Sequence, residues 1–195
     1  HRHPGLLLLD GGDFSMGTLY QTINRTEAAE LTMMGRLGYD AVTFGNHEFD
    51  YRSNGLSEML ISAVKNKEED ASLTLPMLLS ANIDWEKNKD QEDQKLREAM
   101  ELYGAKPYTI LERNGVKIGI YGVLGQEAED FAPESGIDFD PIVDTSKKIV
   151  KELKDQGAEM IICLSHSGTN EDSSKSEDEE LARKVPDIDV IISGH

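Results

Sequence analysis

Four places in the chain put metal-ligating or proton-transferring side chains directly after a short apolar run. Residues 6–9 precede Asp10-Gly11-Gly12-Asp13, and residues 41–44 precede Gly45-Asn46-His47-Glu48-Phe49-Asp50. Residues 160–164 precede Ser165-His166, and residues 190–192 precede Ser193-Gly194-His195. Asp13 offers a carboxylate, Asn46 a neutral carbonyl oxygen, and His166 and His195 imidazole nitrogens. Such an O,O,N,N set suits a borderline divalent ion such as Zn2+ or Mn2+. His47 lies three residues before Asp50, where one helical turn brings the carboxylate towards the ring. A carboxylate on one ring nitrogen fixes the tautomer and favours the protonated form, which suits a general acid. Each residue alone has a plainer use. An Asp after a strand is a common turn former or helix cap, Asn46-His47 reads equally as a capped helix start, and a lone strand-end histidine is most often a satisfied turn residue. It is their joint recurrence after four apolar runs that points to a site.

The positioning elements follow from periodicity and turn chemistry. The four runs read as buried strands. Helical spacing covers 26–37, with Ala28, Leu31, Met34 and Leu37 ahead of Gly38, and 144–156 ahead of Gly157. Glu177–Lys184 is a shorter helix candidate. Residues 108–113 and 116–123 flank Asn114-Gly115, which predicts a β-hairpin with a type I′ turn. Strands alternating with helices make a layered α/β domain. In such sheets ligands gather beyond the carboxyl ends of the strands, so the site residues are expected at one end of one sheet. Residues 84–101 are charge-rich and read as a solvated surface helix or loop insertion. Residues 170–180 read as a mobile acidic loop leading into a helix.

Composition narrows the function classes. A chain of 195 residues fits one domain at roughly 100–200 residues each. Lys+Arg 20 against Asp+Glu 37 gives a formal net charge of −17, which argues against gripping a nucleic-acid duplex. Such a charge also repels a phosphate ester unless a metal supplies positive charge. No apolar run approaches a membrane span. The single cysteine, Cys163, excludes an internal disulfide framework. Neither a P-loop nor a G-x-G-x-x-G fingerprint is present. Both ends read as cut from a longer protein.

Gly12-Asp13, Gly45-Asn46-His47-Glu48, His166 after a strand and Gly194-His195 resemble, in order and spacing, the calcineurin-like metallophosphoesterases. Residues 7–13, Gly17-Thr18, Gly38-Tyr39-Asp40-Ala41-Val42 and Gly45 to Asp50 look more specifically like the 5′-nucleotidase branch. That branch also holds 2′,3′-cyclic nucleotide phosphodiesterases and nucleotide-sugar hydrolases. The resemblance implies a four-layer α/β/β/α sandwich with a two-metal site at the strand ends. It makes Asp13 the bridging carboxylate and Asn46, His166 and His195 the remaining protein ligands of one metal. It places His47 against the transferring phosphoryl group, oriented by Asp50. The implied reaction is hydrolysis by a metal-activated hydroxide, without a covalent enzyme intermediate.

The family's Asp-x-His on a first strand is not found before Asp13, and His1-Arg2-His3 has no Asp for that role. The His or Gln that the family places two positions after the residue matched by His195 lies beyond the chain. The expectation is therefore an incomplete sandwich, lacking its first strand and C-terminal part. Residues 1–195 would form a partial catalytic domain with at most one well-formed site for the parent's two divalent metals, and little activity alone. The C-terminal nucleotide-binding domain would be absent. Nucleoside 5′-monophosphates are the expected substrates, with cyclic nucleotides or nucleotide sugars as alternatives. A non-catalytic metal-binding, phosphate-binding or interaction module is the other-class alternative. An edge left on the strand at 6–9 or the one ending at Phe44 would favour a homo-oligomer. By resemblance the parent is extracytoplasmic: periplasmic, secreted or at the cell surface.

Overall fold

Apolar runs become strands here because both of their faces find cover. The computed structural model describes residues 5–17 and 19–195, so His1-Arg2-His3 and Thr18 of the motifs above lie outside the described residues. The elements run β1 (Leu9–Asp10), α1 (Asn24–Glu27), α2 (Ala29–Leu37), β2 (Ala41–Val42), α3 (Arg52–Glu69), β3 (Met77–Leu78), α4 (Gln91–Tyr103), β4 (Tyr108–Arg113), β5 (Val116–Leu124), α5 (Gln126–Asp130), α6 (Ile142–Asp155), β6 (Met160–His166), α7 (Glu177–Lys184) and β7 (Val190–Gly194).

The strands form two sheets, one of order β1-β2-β3 and one of order β4-β5-β6-β7. The first is all parallel, with Leu9 opposite Ala41 and Ala41 opposite Met77. In the second, β4 and β5 are antiparallel, while β5, β6 and β7 are parallel. The expectation of a single sheet is corrected: four separate strand ends feed the site from two sheets. Strand pairing is a long-range choice that the apolar runs do not encode.

Alternation along the strands shows the layering. Ile118, Ile120, Ile162 and Leu164 pack with Ala41 and Leu79 between the sheets. The intervening Tyr121, Val123, Ile161 and Cys163 face α6 and α7 through Ile149, Leu153 and Leu181. On the far side of the first sheet, Val42 and Leu78 meet Leu31 of α2, Leu56 and Leu60 of α3, and Leu96 of α4. These are the four layers α/β/β/α, with the central strands buried on both faces.

Other expectations meet mixed outcomes. The hairpin forms as read, with Asn114 at φ 52 and Gly115 at φ 83, the two left-handed residues of a type I′ turn. The helix expected over 26–37 is broken at Ala28, whose φ of 43 ends α1 and starts α2. Residues 84–101 are not simply solvated: α4 buries Leu96, Ala99 and Met100 against the helical layer. The strand ending near Phe44 leaves no edge, because β2 is paired on both sides.

Candidate metal centre

Asp13 sits in the turn after β1 with φ 63, preceded by Gly12 at φ 98. Asn46 and His47 open a 3-10 turn, Asn46–Phe49, just after β2. His166 ends β6 opposite Gly194, the last residue of β7, and His195 follows. Close backbone approach brings these segments together. A Cβ on Gly12 would lie 2.6 Å from Gly45 N and 2.7 Å from His166 Nδ1, and one on Gly45 would strike the Asp13 carboxylate. Only glycine permits both approaches.

The result is a converging set of ligand atoms. His166 is 1% exposed, and its Nδ1 donates to the Gly11 carbonyl at 2.7 Å. Because a carbonyl only accepts, the Nδ1 position carries the proton and Nε2 is the free nitrogen of the neutral ring. Nε2 lies 3.1 Å from Asn46 Oδ1 and 3.2 Å from Asp13 Oδ2. His195 Nδ1 lies 3.0 Å from the same Asn46 oxygen. Suitable atoms of Asp13, His166 and His195 all fall within 4.8 Å of one another. With the rings neutral and their facing nitrogens unprotonated, these atoms present lone pairs to one partly buried point, which a cation can occupy.

The electrostatics agree. Burial pulls His166 towards its neutral form, but the hydrogen bond and charge of Asp13 outweigh it and raise the ring above the usual histidine range. Burial likewise opposes the Asp13 carboxylate, yet His166 and the His47 N–H hold it below the usual range. His195 is lowered by burial and by the neighbouring His166. Without a metal ion, a proton on His166 balances the cluster. With one, the donor set fits Zn2+ or Mn2+, and the Gly11 contact is the outer hydrogen bond that orients a ligating histidine.

His47 stands beside this cluster. Its Nδ1 is 3.1 Å from both Asp50 oxygens, and Asp50 also accepts from Gln21 Nε2 at 2.8 Å. The His47 backbone N–H donates to Asp13 Oδ1 at 3.0 Å, which ties the pair to the candidate ligand Asp13. The sequence-derived residues Asp13, Asn46, His166 and His195 therefore meet in one cluster, and His47 and Asp50 form an adjoining pair.

Residues 2–195 match the calcineurin-like phosphoesterase family. The chain belongs to that family. Among its curated phosphoesterase relatives, it is 35% identical to the trifunctional nucleotide phosphoesterase protein YfkN of Bacillus subtilis, covering 97% of this chain and 13% of that protein. It is 34% identical to a probable 5′-nucleotidase of Treponema pallidum, covering 96% of this chain and 27% of that one. In three dimensions it is similar to the 5′-nucleotidase precursor from Thermus thermophilus, with a TM-score of 0.74 at 29% identity. That likeness covers all of this chain and 33% of the larger structure. This phosphoesterase chain thus spans a third or less of the length of these relatives.

The residue roles read from the sequence omit Glu48, which is only 4% exposed. Its Oε2 accepts from Gly45 N at 2.6 Å and Asp13 N at 2.9 Å, and its Oε1 from Ser15 N at 2.9 Å. Burial pushes its carboxyl up to about 7, with the Gly45 and Ser15 N–H groups restraining the rise. Its one signal in the sequence is a charged residue next to a bulky Phe in a segment otherwise given to ligands. Asp10 is a second omission; its Oδ1 accepts from Gly12 N at 3.0 Å and shapes the turn that presents Asp13.

Proposed function

We propose that the protein hydrolyses phosphate esters of nucleosides, 5′-monophosphates foremost, and that residues 1–195 are the part of its catalytic domain that holds one of two divalent metals. What supports this reading is the convergence of Asp13 Oδ2, Asn46 Oδ1, His166 Nε2 and the His195 ring on one point. A divalent ion there polarises a phosphoryl oxygen and makes water a competent nucleophile near neutral pH. The chain's own residues do the rest. Asp13, Asn46, His166 and His195 would hold the ion. Asp50, itself held by Gln21 Nε2, fixes the His47 ring through Nδ1, leaving Nε2 to give a proton to the departing alkoxide.

A nucleotide-binding domain outside this chain selects the nucleoside, and the chain alone turns over slowly. The relative named as trifunctional favours a range wider than one ester class, so cyclic nucleotides and nucleotide sugars belong in any substrate panel. Among the described residues no helix is long and apolar enough to cross a membrane. By family resemblance the proposal places the parent protein outside the cytoplasm.

Calorimetric titration of Mn2+ into the chelator-stripped chain tests the reading. The expected result is one ion per chain for the wild type and at least about a hundredfold weaker binding for His166→Ala, or ~2.8 kcal/mol at ~1.4 kcal/mol per decade. Hydrolysis of a nucleoside 5′-monophosphate should then depend on added Mn2+ and vanish in the variant. Undiminished binding by His166→Ala, or no uptake of Mn2+ or Zn2+ by the wild type, overturns it.

A further inference from the structure

We infer that Glu48 is a positioning residue whose buried carboxylate sets the spacing of the two loops that carry Asp13 and Asn46. The inference rests on the metal-site reading above and deepens it. The backbone ladder between β1 and β2 reaches only the Asp10–Val42 pair, with one further bond from Thr43 N to Asp10 O at 3.3 Å. Beyond that point the two chains diverge into the turns that hold the ligands. Glu48 takes over where the ladder stops. From one loop it receives the N–H groups of Asp13 and Ser15, and from the other that of Gly45, the residue before Asn46.

Three features make this more than a cap on a short turn. Two of the three donors lie 33 and 35 positions away in sequence, so the contact joins loops and not merely neighbours. Asp13 is held at both ends: its N–H points to Glu48 and its Oδ1 receives the His47 N–H at 3.0 Å. All three partners of Glu48 are donors, so only an acceptor-only group satisfies them. A glutamine of the same shape must turn an N–H towards a backbone N–H. Glu48→Gln therefore preserves volume while breaking the clamp.

The test compares Glu48→Gln with Asp93→Asn. Asp93 is likewise 4% exposed, and it accepts from Asp90 N at 3.0 Å in the capping box of α4, well away from the ligands. Both variants should melt earlier. Only Glu48→Gln should weaken Mn2+ binding by the folded protein, by about 10- to 100-fold, the usual effect of losing a group that orients ligands. Asp93→Asn should stay within about twofold of the wild type. In the metal-free protein, amide exchange at Asp13 and Gly45 should quicken at least about tenfold in Glu48→Gln while Ile162 is unchanged.

Unchanged Mn2+ affinity with a lowered melting point alone overturns the inference and leaves Glu48 a structural residue. If the wild type takes up no metal, the metal reading falls separately, and exchange at Asp13 and Gly45 decides the role of Glu48. If Glu48→Gln does not fold, Glu48→Asp substitutes for it. That variant keeps the charge and withdraws it by one methylene, with an expected loss of about tenfold in Mn2+ affinity; binding equal to the wild type overturns the inference.

Discussion

The two sheets deliver ligands in different ways. In the second sheet, β5 and β6 are paired over seven consecutive residues from Ile118–Met160 to Leu124–His166, and His166 is itself the last pair. Backbone hydrogen bonds therefore carry the ligand almost to its final place. In the first sheet each strand is two residues long, and Asp13 and Asn46 lie three and four residues past the ladder. Side chains and close glycine contacts do there what the ladder does in the other sheet. A site shared between them has one face fixed by regular structure and one fixed by a few specific contacts. Stability and metal affinity should therefore respond to different residues.

The sharpest break of that comparison comes from the second sheet's support. Leu153 of α6 is fully buried against Tyr121 and Ile161, so Leu153→Ala should cost about 2–5 kcal/mol in urea unfolding. Mn2+ affinity of the folded fraction should stay within about threefold. A large loss of affinity would show that the ladder does not isolate the ligands from the core. Next in size is Gly12→Ala. Its left-handed backbone and crowded Cβ position predict a cost of ~2–4 kcal/mol, here accompanied by loss of Mn2+ binding because Gly45 and His166 must move. Wild-type affinity in that variant would break the contrast. The smallest effect is expected from Asp50→Asn. It should leave Mn2+ affinity within about twofold, while lowering hydrolysis by a full-length protein about tenfold as His47 loses its orienting partner. A matched fall in metal affinity would place Asp50 in the binding set instead.

Legibility in the sequence follows the same divide. His166 and His195 are visible because apolar runs at 160–164 and 190–192 lead into them, and the hairpin because Asn114-Gly115 is a local rule. The meeting of Asp13 with Asn46 shows in the sequence only through their shared place after apolar runs and through the family pattern, since nothing local makes residues 13 and 46 neighbours. The 18-residue α3 is absent from the sequence reading, although Leu56, Met59, Leu60 and Ala63 stand at helical spacing. Its charged and polar remainder, and the ligand motif just before it, mask that spacing. The buried face of α4 is hidden for a similar reason: Leu96, Ala99 and Met100 are few among many charges, and their burial depends on packing against the helical layer beside α3. Glu48 escapes assignment because its partners are backbone N–H groups, which every residue but proline owns and no side-chain pattern can advertise.

The bond from His166 Nδ1 to the Gly11 carbonyl spans 155 positions, which has a consequence for how the protein is made. At ~5–20 residues per second of synthesis, Asp13 is added about 8–30 seconds before His166. During that interval the nascent chain offers an arriving ion a carboxylate and an amide oxygen, but no imidazole from either strand end. On the proposed reading, the metal site is completed late, only once the second sheet has formed.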